Sequence, residues 1–172
     1  GYKSVREYSN YLMGKYSCLT PGKNIAVSVT PGLLRKAMGN EQTGEWLERE
    51  LSKALDYIKQ KGYTVCITTN GMSRTQYRRI DNCAIKQYFD YIFVSEDAGH
   101  QKPEKEYFEY AMANSPEKDK SKILVIGDSM SSDILGGINF GVDTCWLNPK
   151  GNAEQYKTTY EIANIMQICD IL

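Results

Sequence analysis

From Ser52 onward, short β-branched runs alternate with helical periods, and this alternation constrains the chain more than any other feature of its sequence. It is the signature of a parallel sheet covered by helices. Leu47, Leu51, Ala54, Leu55 and Ile58 recur at helical spacing, with Thr43 as candidate N-cap, Lys59 and Lys61 late and Gly62 as the stop. Tyr63–Thr68 (YTVCIT) reads as a strand, followed by a turn at Asn70-Gly71 and a polar helix from about Ser73 to Asn82. Tyr91–Ser95 (YIFVS) is a second strand. Pro103 fits the first turn of a helix running to about Ala113, and Lys122–Ile126 (KILVI) is a third strand. Ser131 or Ser132 is placed to cap a short helix ending near Gly141, before a fourth strand at Val142–Leu147 (VDTCWL).

With 172 residues, 41% of them hydrophobic and 24% charged, the chain can bury one sizeable core, which excludes a disordered protein. Twenty-one Lys plus Arg balance twenty-one Asp plus Glu, so there is no overall basic field to hold nucleic acid or an anionic membrane. No apolar run approaches the roughly 18 residues that span a bilayer, and no signal-peptide stretch opens the chain. The expectation is a soluble cytoplasmic protein. Five cysteines (Cys18, Cys66, Cys83, Cys145, Cys169) lack any C-x-x-C pair, and their odd number forbids a complete disulfide framework. They read as reduced thiols, with Cys66 and Cys145 as small buried hydrophobes.

The first fifty residues are less regular. Thr20-Pro21-Gly22 and Thr30-Pro31-Gly32 bracket an isolated β-like run, Asn24–Val29 (NIAVSV), and Tyr2–Tyr16 reads as an amphipathic helix too short to form a domain.

In an open parallel sheet the ligand crevice lies at the carboxyl ends of the strands. Three strand ends carry suitable chemistry. Thr68-Thr69-Asn70-Gly71 offers a hydroxyl, an amide and free backbone N–H groups to phosphate oxygens, although T-N-G is also a common turn. Lys102 stands just before a helix start, where ammonium and helix N-terminus could face one anion; taken singly it reads as a surface lysine. Gly127-Asp128-Ser129-Met130-Ser131-Ser132-Asp133 sets one carboxylate at a strand tip and another five residues on. Such hard oxygen donors suit Mg²⁺ held with waters and substrate phosphate; the bland account is a strand end and a helix cap.

In order and spacing these three segments resemble the second, third and fourth motifs of the haloacid dehalogenase (HAD) superfamily. TTNG, SEDAGHQKPEKEYFEYAM and ILVIGDSMSSDILGGINFGVDTCWLNP are most similar to its pyrimidine 5′-nucleotidase branch, which acts on non-standard nucleotides. The resemblance covers residues 52–172, and Tyr8–Gly22 is faintly similar to the end of that branch's helical cap. It implies a Rossmann-like parallel sheet with helices on both faces. It also implies an aspartate nucleophile, a second aspartate as general acid and base, and Mg²⁺ as cofactor. By the same resemblance Thr69 and Asn70 would hold phosphate, Lys102 would neutralise nucleophile and phosphate, Asp128 would bind Mg²⁺ and Asp133 would support it. The substrate implied is a small phosphorylated compound, a pyrimidine nucleoside monophosphate.

One departure stands out: the superfamily's first motif, D-x-D-x-[TV] after an apolar strand, is absent, and no D-x-D occurs anywhere. The nearest candidate is Ile25–Val29 with Thr30-Pro31-Gly32, where Ser28 and Thr30 stand in the two acidic places and neither can replace a carboxylate. The missing strand belongs in the centre of the sheet, so its loss would orphan backbone groups on both neighbours. Two readings follow. Either the chain is a truncated phosphatase lacking its central strand and most of its cap, or Asn24–Val29 replaces that strand without ordinary catalysis. The expected organisation is residues 1–22 as a remnant of the cap and return linker, 23–50 as an unrecognised insertion or replacement strand, and 51–172 as the α/β core. The expected function is a Mg²⁺-dependent phosphomonoesterase needing a supplied aspartate; the alternative is a non-catalytic phosphate-binding or interaction module. A receiver-like signalling domain fits less well, because no acidic pair follows an early strand. His100, the single histidine, has no assigned role. Gly136-Gly137 reads as close helix packing.

Overall fold

A computed structural model describes residues 26–29 and 41–172. Its elements in chain order are β1 (Ala26–Val29), α1 (Glu41–Gln60), β2 (Val65–Thr69), α2 (Ser73–Asp81), β3 (Tyr91–Val94), the single turn α3 (Ser95–Ala98) and α4 (Lys105–Ala113). Then follow β4 (Ile123–Gly127), a wide turn at Met130–Ile134 leading into α5 (Leu135–Phe140), β5 (Asp143–Leu147), β6 (Tyr160–Ile162) and a 3-10 turn at Ile165–Asp170. The strands form one sheet in the order β3-β2-β1-β4-β5-β6, every pairing parallel.

β2 and β4 are buried along their whole length, as strands covered on both faces must be. Side-chain alternation divides their residues between two apolar layers. Val65, Ile67, Leu124 and Ile126 pack with Leu51, Leu55 and Ile58 of α1 and with Ile165 and Ile168 near the C-terminus. Cys66 and Val125 face the other way, onto Tyr107, Phe108 and Phe140 of α4 and α5. This is the α/β architecture expected from the alternating pattern.

β1 occupies the central place. It pairs with β2 through Val27↔Val65, Ser28↔Cys66 and Val29↔Ile67, and with β4 through Ala26↔Ile123, Val27↔Leu124 and Ser28↔Val125. The backbone groups of β2 and β4 that a missing strand would orphan are therefore paired. The expected amphipathic helix at Tyr2–Tyr16, the expected cap remnant, and Cys18 and Thr30 lie outside the described residues.

Several expected boundaries shift. Thr43 lies inside α1, which begins at Glu41. Pro103 precedes α4 instead of opening it, following Lys102 in a cis peptide with Glu104 as the N-cap. Ser131 and Ser132 sit within the wide turn and cap nothing; the N–H of Asp133 and that of Ile134 both return to the Ser129 carbonyl. Gly62 and Gly141 do end their helices, each at φ +81°. Gly137 packs α5 on the sheet, since a Cβ there would come 2.6 Å from Thr144 Cγ2. Among the described residues no helix is long and apolar enough to cross a membrane, and Cys66, Cys145 and Cys169 are free thiols.

Candidate functional site

The carboxyl ends of β2 and β4 flank β1, and the loop before α4 closes over them. Lys102 is the centre of this end of the sheet. Its side chain is 3% exposed, and its Nζ donates to Asp133 Oδ1 at 2.7 Å and to the Thr68 carbonyl at 3.0 Å. An ammonium has three N–H donors, and among the described residues two of them are taken. Burying a charged pair this deeply is favourable only with close geometry and with the remaining valences satisfied. Asp133, 2% exposed, meets that condition, because its Oδ2 accepts the Ser129 N–H at 3.2 Å. The wide turn at Met130–Ile134 brings Asp133 back over the end of β4. Gly127 makes room for it, since a Cβ there would fall well inside van der Waals contact of the Asp133 side chain.

Thr69 ends β2 and is wholly buried. Its backbone N–H donates to the Tyr107 phenol oxygen at 2.8 Å, and that hydroxyl donates to the Phe93 carbonyl at 2.8 Å. Burial holds the Tyr107 phenol far above the ordinary tyrosine range, so it stays protonated and keeps that donor. Asn70 faces Lys102: its Nδ2 donates to the Lys102 carbonyl at 2.9 Å and its Oδ1 accepts the Lys102 N–H at 2.9 Å. The turn is braced from the β3 side. Gly71 N–H donates to Ser95 Oγ at 2.9 Å, Ser73 N–H donates to Glu96 Oε2 at 2.7 Å, and the Ser73 hydroxyl bonds Asp97.

Asp128 follows β4 directly and is partly exposed. Its carbonyl accepts the Trp146 indole N–H at 3.3 Å, tying it to β5. Thr69, Asn70, Lys102, Asp128 and Asp133, all singled out by their place after strands or before a helix, thus gather at one end of the sheet. Sequence reasoning missed Tyr107, Ser129 and Trp146. Each looks like an ordinary core or turn residue, and only the folded register shows which backbone group it reaches. His100 lies at the rim with Nδ1 3.2 Å from Glu104 Oε2, about half exposed.

The donor chemistry fits Mg²⁺ in part. Mg²⁺ takes one or two carboxylates and fills its octahedron with water and phosphate oxygens. Asp128 can be such a ligand, whereas both oxygens of Asp133 already accept hydrogen bonds. No cluster of three ligating side chains occurs among the described residues. Ser28 is level with Cys66 and Val125 in the sheet register, three residues short of Thr69 and of Asp128 along the neighbouring strands.

Residues 31–147 match the family model for haloacid dehalogenase-like hydrolases. The chain belongs to this family. The HAD-hydrolase YfnB of Bacillus subtilis (strain 168) is 36% identical over 184 aligned positions, covering 96% of this chain and 78% of YfnB. The pyrimidine 5′-nucleotidase YjjG of Escherichia coli (strain K12) is 38% identical over 85% of this chain, and PynA of Streptococcus pneumoniae, also a pyrimidine 5′-nucleotidase, is 35% identical over 69%. This HAD-like chain spans 66% and 51% of those two nucleotidases. The crystal structure of YfnB bound to magnesium superposes with a TM-score of 0.65 at 36% identity, covering 78% of this chain and 66% of that one. A HAD phosphatase from Thermococcus onnurineus shares the fold at 21% identity and a TM-score of 0.64, covering 82% of this chain and 78% of that one.

Proposed function

We propose that this HAD-like chain binds the phosphate of a pyrimidine nucleoside 5′-monophosphate at the carboxyl end of its sheet, and that it belongs to a phosphomonoesterase. The observation that carries this reading is the buried Lys102 ammonium, fixed by Asp133 and the Thr68 carbonyl, with two of its three N–H donors taken among the described residues. The nucleobase preference rests on the likeness to YjjG and PynA.

In this reading Lys102 neutralises phosphate charge in a site of low polarity, where a preorganised cation is worth more than in water. Thr69 offers its hydroxyl to a phosphoryl oxygen while its backbone is held by Tyr107. Asp133 fixes the Lys102 ammonium, and Asp128 would hold Mg²⁺ with its backbone anchored by Trp146. Mg²⁺, when bound, supplies a second positive charge to the phosphoryl oxygens. Exclusion of water by the buried Lys102–Asp133 pair strengthens each of these contacts.

Covalent phosphoryl transfer needs a carboxylate nucleophile in line with the leaving oxygen. The 172 residues contain no D-x-D, and β1 fills the central place of the sheet without an aspartate. We therefore infer that these residues alone bind a phosphomonoester without turning it over. That same observation supports the alternative of a non-catalytic phosphate-binding module. Phosphate release from uridine 5′-monophosphate with Mg²⁺, by this chain and by a version joined to a D-x-D strand, separates the two. Release only after joining supports the phosphatase reading, and binding without release in both supports the binding module. Release by the unaltered chain that disappears in Asp128→Asn would contradict the requirement for a supplied aspartate.

A further inference from the structure

We infer that Asn70 is a positioning residue for Lys102 and acts on the phosphate through it, an inference that rests on the phosphate-binding role proposed for Lys102. The asparagine immediately follows Thr69, where an amide would be assumed to reach the ligand itself. Its geometry points elsewhere. Nδ2 donates to the carbonyl and Oδ1 accepts the N–H of one and the same residue, each at 2.9 Å. This reciprocal pair has the form of two exchanged bonds in an antiparallel ladder, made by a side chain. The donor and acceptor on Lys102 also fix which end of the amide is oxygen.

The consequence for Lys102 is that both its ends are tied to the same strand end. Its peptide groups are held by Asn70, and its Nζ returns to the carbonyl of Thr68, two residues earlier. A lysine has a flexible four-carbon stem, and its ammonium is placed accurately only if the stem's origin is placed as well. Asp133 fixes the far end and Asn70 the near one. Asn70 is itself fixed from behind: Gln76, buried on α2, donates from Nε2 to the Asn70 carbonyl at 3.2 Å. Gly71 makes that contact possible, since its φ is +141° and a Cβ there would collide with the Gln76 amide.

A double-mutant cycle decides between positioning and direct contact. Binding of inorganic phosphate, with Mg²⁺ present, is measured by calorimetry for the full chain, Asn70→Ala, Lys102→Ala and the double variant. Positioning predicts that Asn70→Ala weakens binding about tenfold in the unaltered chain, the scale of losing two ordinary hydrogen bonds, and adds nothing once Lys102 is removed. Equal losses in both backgrounds would overturn the inference. The second readout needs no ligand: the rate at which an amine-reactive ester acylates Lys102, followed by mass spectrometry. Asn70→Ala is expected to raise that rate several-fold, with Asn70→Asp, which keeps the acceptor and loses the donor, intermediate. An unchanged rate in both would overturn the inference even if Asn70→Ala proved poorly folded. Should the unaltered chain bind no phosphate, the proposed function fails, and the acylation rates still decide the role of Asn70.

Discussion

The Lys102 ammonium lies 2.7 Å from Asp133 Oδ1, with the two side chains 3% and 2% exposed. A pair buried this deeply leaves an uncompensated charge when either partner is removed. Asp133→Ala is expected to lower stability by about 3–5 kcal/mol, read from urea unfolding midpoints. Lys102→Met combined with Asp133→Leu should recover most of that loss, because no charge then remains in the core. A single-variant loss within the range of an exposed ion pair would show that the two charges are not held together in the interior.

Tyr107 links β2 to β3 by accepting from Thr69 N–H and donating to the Phe93 carbonyl. Tyr107→Phe keeps the ring and removes both of these buried hydrogen bonds. The expected loss is about 1–3 kcal/mol, with weaker phosphate binding because Thr69 is no longer held. Hydrogen exchange at the Thr69 amide checks it: exchange as slow as in the unaltered chain would contradict the link.

Gly127 leaves no room for a methyl group under Asp133. Gly127→Ala should push Asp133 away from Lys102 and cost about 1–3 kcal/mol, as overpacking of a filled interior does. Phosphate affinity should fall with it. Gly62→Ala, at a helix end remote from these groups, serves as a control that changes stability without changing affinity.

Stability should decline in alkali. Burial, with a smaller contribution from Asp90, pushes the Cys66 thiol up to about 12, and burial raises Cys145 as well. Unfolded thiols titrate near ~8.5. Between those values the unfolded chain has lost protons that the native state keeps, so stability is full below about pH 8.5 and falls as pH rises toward 12. The slope is about 1.4 kcal/mol per pH unit for each such thiol. Unfolding midpoints from pH 8 to 10 in reductant should show it, with a shallower decline in Cys66→Ala; an equal slope in that variant would contradict the assignment.

The strands were legible because each is a short β-branched run: YTVCIT, YIFVS, KILVI and VDTCWL lie on β2, β3, β4 and β5. Their order alone places Thr69, Lys102 and Asp128 at one end of the sheet. The three-residue β6, Tyr160–Ile162, carries too little pattern to be read, and its place depends on pairing with β5. Pro103 resembled a helix opening, yet Glu104 caps α4, because the loop is held by the Asn70 bonds to Lys102 and not by local propensity. The wide turn that carries Asp133 over Gly127 leaves no mark in sequence either, since it exists to satisfy contacts between residues 31 positions apart. Spacing showed that the charged groups share one end of the sheet. Which of them touch is a property of the fold.

The most direct test is calorimetric titration of uridine 5′-monophosphate, with Mg²⁺, into this chain and into Lys102→Met. The predicted result is saturable one-to-one binding to the unaltered chain and measurable binding weaker by about a hundredfold in the variant, with both proteins folded. Equal binding by the two proteins, or none by the unaltered chain, would contradict a phosphate site centred on Lys102.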